Sequence, residues 1–287
     1  MSQYCVAPRL ATDPTVREFS ESFQFFDDDV LVSTYHKSGT TLAQEIVSCL
    51  LYGVEKTRAT DQAVRSPFID FRPPGGADPL EQARAMPSPR VLKTHLPAKY
   101  HRRHLKQAGG GPKNVIVIRN PKDVLVSKYH HFHGTKTFSE QVPSKFEDFW
   151  RAMVYQPAKH GQPDYFDFNL GWWALRDHPR VLVLFYEDLL VDKATQVRRL
   201  ADFIGVELTD QLLKDTLEAT SFQAMRDNPN VNVSRGGETD GWKAGVSFIR
   251  RGEIGDWKNH LTVADNEELD KAIAERMSGS EIQFVYE

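Results

Sequence analysis

The sequence predicts an α/β fold in which helices cover a parallel β-sheet. Three stretches point there. Val30–Thr34 is a short, apolar, β-branched run followed by small polar residues from His36 to Thr41. Apolar residues then recur at helical spacing at Leu42, Ile46, Val47, Leu50 and Leu51. Asn114–Ile118 is a continuous apolar run, as strands covered on both faces require, and Val181–Asp188 is a second such run that ends in polar residues. No polar or Pro/Gly-rich linker divides the chain, so one domain over residues 1–287 is expected.

The bulk properties set limits. The 287 residues carry a formal net charge of −3, which argues against a protein that coats nucleic acid but leaves room for a local basic pocket. Cys5 and Cys49 form no CxxC pair or disulfide framework, which suits a reducing compartment. The first residues hold Arg9, Asp13, Arg17 and Glu18 and no apolar core of a leader. No apolar run approaches the roughly 20 residues that a membrane span needs. A cytoplasmic protein is expected. No metal-ligand spacing is visible.

In chain order, a short helix is expected near Asp13 to Glu21. The segment from His36 to Thr41 then joins a strand to a helix. That geometry aims backbone N–H groups and a helix N-terminus at one point, which attracts an anion. Lys37 adds a charge, and Ser38, Thr40 and Thr41 add hydroxyls. Lys37 precedes Gly39, so this is not the GxxxxGK[ST] loop, and an ordinary βα turn is the competing, less favoured reading. Residues 53–90 are rich in Pro and Gly and read as a long connection with a helix at Pro79 to Ala85. Phe68, Ile69 and Phe71 within it would line a pocket or tether the connection to the core.

Arg90–Leu96 is a second strand stopped by Pro97. Lys93 and His95 are two apart and share a side of it. A Lys and a His at the end of a buried strand are costly unless a ligand or partner meets them. After the Asn114 strand, Pro121 opens a helix to His133 that sets Asp123 and Ser127 four apart on one face. Ligands of such sheets sit past the carboxyl ends of the strands, where Arg119 and Ser127 lie. Residues 144–155 and 165–176 read as helices with Phe146, Phe149, Trp150, Trp172 and Trp173 in the core. Asp192–Ile204 is an amphipathic helix, and a helix from Thr209 leads to Thr220, Ser221 and Phe222. Residues 226–247 read as a polar, mobile segment. Arg250 and Arg251 beside Gly252 are a grip for phosphate or plain solvated surface. A last helix is expected from Asp265 to Met277.

Five of these stretches together resemble the cytosolic sulfotransferase family. They are Tyr35-His36-Lys37-Ser38-Gly39-Thr40-Thr41, Lys93-Thr94-His95-Leu96-Pro97, Arg119-Asn120-Pro121-Lys122-Asp123-Val124 with Ser127, Phe185-Tyr186-Glu187-Asp188 and Arg250–Lys258. The resemblance spans nearly the whole chain in order and spacing. It implies a P-loop-like, three-layer α/β fold with a central parallel sheet. It implies the donor 3′-phosphoadenosine 5′-phosphosulfate (PAPS), the product PAP, and a hydroxyl or amine acceptor on a small molecule. Lys37, Ser38, Gly39, Thr40 and Thr41 would cradle the 5′-phosphosulfate. Arg119, Ser127, Arg250, Arg251 and Gly252 would hold the 3′-phosphate. Tyr186, Thr220, Ser221, Phe222, Met225, Phe248 and Ile249 would surround the adenosine.

The same resemblance makes His95 the general base, with Lys37 and Lys93 stabilising the leaving phosphate and Ser127 restraining Lys37. It implies a homodimer through Lys258, Thr262, Val263 and Glu267. His36 stands where the family usually has Pro, and Leu42 where a Trp commonly stacks on adenine. Phe23, Phe68 and Phe71 match acceptor-pocket positions, with Lys93 and His95 beside them. Lys128 and His131 replace aromatics there. A pocket more polar and basic than a phenol-specific one follows, suited to a phenol, a catechol-like amine or a functionalised natural product. Two other classes compete: a non-catalytic member that binds PAP or PAPS as a regulatory module, and a small-molecule kinase on a related fold. The position of Lys37 counts against the kinase; retention of Lys37, Lys93 and His95 counts against the regulatory module.

Overall fold

The computed structural model describes residues 13–287 except 71, 73–75, 108, 109, 137, 233 and 235–240. Cys5, Phe71 and part of the 226–247 segment lie outside the described residues. The strands are β1 (Val30–Thr34), β2 (Val91–Thr94), β3 (Lys113–Ile118) and β4 (Val181–Phe185). The helices before β3 are α1 (Pro14–Glu21), α2 (Thr40–Tyr52), α3 (Val54–Ala59), α4 (Gln62–Arg65), α5 (Pro79–Ala85) and α6 (Arg102–Leu105). After β3 come α7 (Pro121–Gly134), α8 (Phe146–Tyr155), α9 (Tyr165–Trp173), α10 (Tyr186–Val191), α11 (Lys193–Ile204), α12 (Asp210–Ala219), α13 (Phe222–Asp227) and α14 (Val263–Arg276).

Helix starts follow their side-chain caps. Asp13 accepts the N–H of Thr15 at 2.8 Å ahead of Pro14, so α1 begins where the acidic cap precedes a proline. Asn120 caps α7 by accepting the Asp123 N–H at 2.8 Å, with Pro121 at the first helical position. Thr262 caps α14 at 3.1 Å, so that helix starts at Val263, two residues before the expected Asp265. The fourth strand also ends earlier than expected. Glu187 and Asp188 fall in the first turn of α10, where the helix dipole favours carboxylates, so the polar end of the run is helix and not strand.

All strand pairs are parallel, and the sheet order is β2-β1-β3-β4. Val30, Leu31 and Val32 of β1 are fully buried. The chain steps from β1 to β2 on one side and returns to β3 on the other, so the carboxyl ends of β1 and β3 part over a crevice. One face is covered by Ile46, Val47, Leu189 and Leu200 from α2, α10 and α11. The other face is covered by Phe149, Trp150, Phe168, Trp172 and Ile273 from α8, α9 and α14. A third cluster, with Phe19, Phe23 and Leu80, closes the β2 end beneath α1 and α5. Helices on both faces of a parallel sheet make the three layers. The connection between α4 and α5 also serves the sheet: Lys93 N–H donates to Pro67 C=O at 2.9 Å and Ile69 N–H to Lys93 C=O at 3.0 Å.

Candidate active site

A cavity of about 380 Å³ opens at the carboxyl ends of β1, β2 and β3. At one end is the loop between β1 and α2. Lys37 is the one non-glycine residue with positive φ, at 68°, among the described residues. Gly39 follows at φ 105°, and a Cβ there would lie 2.5 Å from the Tyr186 ring. Glycine is required twice over, by conformation and by space. No side chain caps α2, so its first-turn N–H groups are open to an anion. The Ser38 hydroxyl and the Arg119 Nε are buried without a hydrogen-bond partner. Arg119 lies over the Tyr186 ring at 4.3 Å and donates from Nη1 to Lys37 C=O at 3.2 Å.

A second element brings more positive charge. Arg250 pairs with Asp256, and Arg251 Nη1 donates to the same carboxylate at 2.7 Å. Gly252, at φ 67°, presses against the Phe222 ring, which an added Cβ would meet at 2.5 Å. This arm is fixed by Asp123, which accepts the N–H groups of Gly255 at 2.8 Å and Trp257 at 3.0 Å. Asp123 thus positions the arginines rather than facing a ligand. Thr220, Met225, Phe248 and Ile249 line the same cavity, with Thr40, Thr41 and Leu42 opposite.

The other end holds His95 and the side chains of Lys37 and Lys93. His95 Nδ1 lies 2.7 Å from Thr34 C=O. A carbonyl only accepts, so Nδ1 carries the proton and Nε2 keeps its lone pair. Burial, then Lys93, pushes the imidazole well below its usual range, so it is neutral near pH 7. Lys37 Nζ sits over the Phe248 ring at 4.2 Å and Lys93 Nζ over the Phe68 ring at 4.2 Å. Burial and then the neighbouring cations Lys93, Arg119 and Arg250 push Lys37 down to about 7. Burial lowers Lys93 to about 8, with Asp70 opposing the fall. Ser127 and His131 on α7 line this region beside Lys37.

Not every expected residue reaches the cavity. Phe23 is wholly buried in the cluster below α1, its ring 5.0 Å from Phe25. Lys128 is also wholly buried and donates to the Tyr35 hydroxyl at 2.7 Å, behind the wall rather than on it. A lysine on the inner face of α7 finds a phenol to bond, and helical spacing alone does not reveal that partner. Ser221 caps α13 through Ala224 N–H at 3.2 Å. Phe71 lies outside the described residues. The cavity adds Asp70, Phe138, Gln162, Lys193 and Glu253, which sequence reasoning missed. His36, which stands where the family usually has Pro, lies 4.1 Å from the His95 ring at a tilt of 36°. Asp70 sits two residues past Phe68, whose pairing with Lys93 brings that segment to the edge of β2, a contact no local pattern marks. Phe138, Gln162 and Glu253 come from connections, where no periodicity marks direction, and Lys193 opens α11.

The residues fit an anionic nucleotide donor. Orphaned buried donors at Ser38 and Arg119, two glycines where a side chain has no room, and six cations lining one cavity all ask for a multiply charged ligand. Among the described residues no group of His, Cys, Asp or Glu is placed to hold a metal ion.

Comparison with known proteins agrees. The sulfotransferase domain family matches residues 27–281. Sulfotransferase 1C2 of Homo sapiens is 35% identical over 282 residues, covering 97% of this chain and 93% of that one. Sulfotransferase 1B1 of Canis lupus familiaris is 34% identical, covering 92% and 88%. In fold, the chain is similar to a retinol dehydratase solved with androsterone and the inactive cofactor PAP (TM-score 0.83, 24% identity, 94% and 87% covered). It is also similar to a mouse sulfotransferase solved with PAP (TM-score 0.71, 21% identity, 95% and 91% covered). The chain therefore belongs to the sulfotransferase family and is a PAPS-dependent sulfotransferase.

Proposed function

We propose that the protein moves the sulfuryl group of PAPS to a hydroxyl or amine of a small-molecule acceptor, with His95 as base and Lys37 and Lys93 as the stabilising cations. The observation that carries this reading is the His95 ring. Its Nδ1 is committed to Thr34 C=O, which leaves Nε2 unprotonated in a cavity also lined by Lys37 and Lys93. PAPS supplies the sulfuryl group and a phosphate leaving group. The Lys37–Thr41 loop and the N-terminus of α2 would hold its 5′ end; Arg119, Ser127, Arg250, Arg251 and Gly252 its 3′-phosphate. Tyr186, Thr220, Phe222, Met225, Phe248 and Ile249 would enclose the adenosine, with Leu42 at the same wall. His95 Nε2 takes the acceptor proton, because a phenol titrating near about 10 is a weak nucleophile unaided. Lys37 and Lys93 meet charge growing on the departing oxygen. Ser127, beside Lys37, restrains it until an acceptor enters.

The acceptor end is lined by Phe68, Phe132 and Phe138 together with His36, His131, Gln162 and Lys93. Flat rings flanked by imidazoles favour a phenol, a catechol-like amine or a functionalised natural product. A panel of hydroxyl and amine compounds incubated with labelled PAPS tests this. Label transfer to phenolic members is expected, and label release only to water would reject the reading. The same panel with labelled ATP in place of PAPS separates a kinase, and PAP binding without any transfer would indicate a regulatory module. A single domain spanning the chain, a cytoplasmic location and a homodimer complete the proposal. The described helices include none long and apolar enough to cross a membrane. Supporting the dimer, Val263 is 77% exposed at the start of α14, beside Lys258, Thr262 and Glu267.

A further inference from the structure

The connection after α4 does more than cover the sheet edge. Its backbone holds Lys93 at the free edge of β2, where Lys93 N–H donates to Pro67 C=O and Lys93 C=O accepts from Ile69 N–H. Its side chains then reach the two reactive groups. Phe68 lies under Lys93 Nζ at 4.2 Å and edge-on to the His95 ring at 4.9 Å. Asp70, two residues on, accepts the His95 backbone N–H at 3.1 Å to Oδ2 and 3.3 Å to Oδ1. Beyond the end of β2 that N–H has no strand partner, so without the carboxylate it would be an unmet donor beside the cavity. Asp70 also lines the cavity.

The titratable groups that face Lys93, apart from Asp70, are cationic or neutral. Lys37 and His36 face it from the loop after β1, His131 from α7, and His95 along its own chain. Asp70 is the group that acts to keep it protonated. We propose that Asp70 is a positioning residue for sulfuryl transfer: it fixes His95 through the backbone N–H and, through its charge, holds Lys93 in the ammonium form. The proposal rests on the reading of His95 as base and Lys93 as cation. Two consequences follow. Burial raises the Asp70 carboxyl to about 7, and Lys93 titrates at about 8, so both charges are present together mainly between those values. Removing the carboxylate charge lets Lys93 lose its proton at lower pH.

Asp70→Asn keeps an oxygen for the His95 N–H and removes the charge; Asp70→Ala removes both. The test follows kcat and kcat/KM against pH for both variants, with PAP affinity and Tm measured alongside and His95→Ala as a parallel sample. For Asp70→Asn the expected result is unchanged PAP affinity within about threefold and, in the alkaline limb of kcat/KM, a Lys93-dependent second step about one pH unit lower, its onset at Lys37 unmoved. For Asp70→Ala a further loss of kcat of about tenfold is expected, because the base is no longer held. An Asp70→Asn profile that superimposes on the parent's would overturn the Asp70 role, even if Asp70→Ala fails to fold. Full activity in His95→Ala would instead overturn the base assignment beneath it.

Discussion

His95 and the lysines around it make claims that single substitutions check. General-base assistance is worth about 10²- to 10⁴-fold, so His95→Ala lowers kcat by at least about a hundredfold in steady-state assays. Because burial holds the imidazole well below its usual range, kcat/KM shows no acid limb near pH 6.5. Lys37 at about 7 and Lys93 at about 8 set the alkaline limb in the free enzyme. Bound PAPS raises both lysines, so the limb in kcat lies at higher pH than that in kcat/KM. Leu42 gives the proposed adenine wall no ring. Leu42→Trp is expected to tighten PAP by about two- to tenfold in calorimetry, the worth of one aromatic contact. At this scale the sequence was legible where a residue sits in a strand-end motif, as Lys37, Lys93, His95 and Arg119 do. It was opaque where direction depends on a partner far along the chain. Lys128 turns to Tyr35, Phe23 sinks under α1, and Asp70 enters through an edge contact that no local pattern records.

Two elements would carry the donor end, and each depends on a small feature. The loop between β1 and α2 needs Gly39, since φ 105° and the Tyr186 ring both exclude a side chain. Gly39→Ala is expected to cost at least about 1 kcal/mol of stability in chemical unfolding and to weaken PAP binding sharply. The arm bearing Arg250 and Arg251 depends on Asp123, whose carboxylate receives Gly255 and Trp257 N–H groups 132 and 134 residues away. Asp123→Ala leaves those donors unmet at about 1–3 kcal/mol each. PAP affinity is expected to fall at least about tenfold, with the far-ultraviolet circular dichroism spectrum unchanged. Strands and long helices were readable here because apolar runs and proline or Asn caps are local signals. α10 was not, because a carboxylate pair after an apolar run reads as a strand end until Glu187 is seen accepting the Asn120 N–H at 2.9 Å.

For the whole molecule, a parallel sheet of order β2-β1-β3-β4 gathers cations from distant segments at its carboxyl edge, and the unliganded fold bears the strain. Lys37, Lys93 and Lys128 titrate at about 7, 8 and 7 in the fold, below the ordinary lysine value near 10.5. The unfolded chain therefore binds more protons across that window, and stability rises with pH from about 7 towards 10.5 and is lost as pH falls to about 7. Thermal melts of the free protein are expected to show that rise, and saturating PAP to flatten it. If Val263 is the seam of a homodimer, Val263→Glu yields monomers in sedimentation at micromolar concentration. The layer order and the convergence at one edge were legible because each strand run is followed by a helix pattern. The depth of the cavity was not, because Phe132 on α7 and Phe68, Phe138 and Gln162 on connections line it through tertiary packing. The most direct test is single-turnover transfer from labelled PAPS to a phenolic acceptor by the parent and His95→Ala, with PAP binding measured on both. Equal PAP affinity with transfer at least about a hundredfold slower in the variant is the expected result; transfer at the parent's rate would contradict a sulfotransferase run by this imidazole.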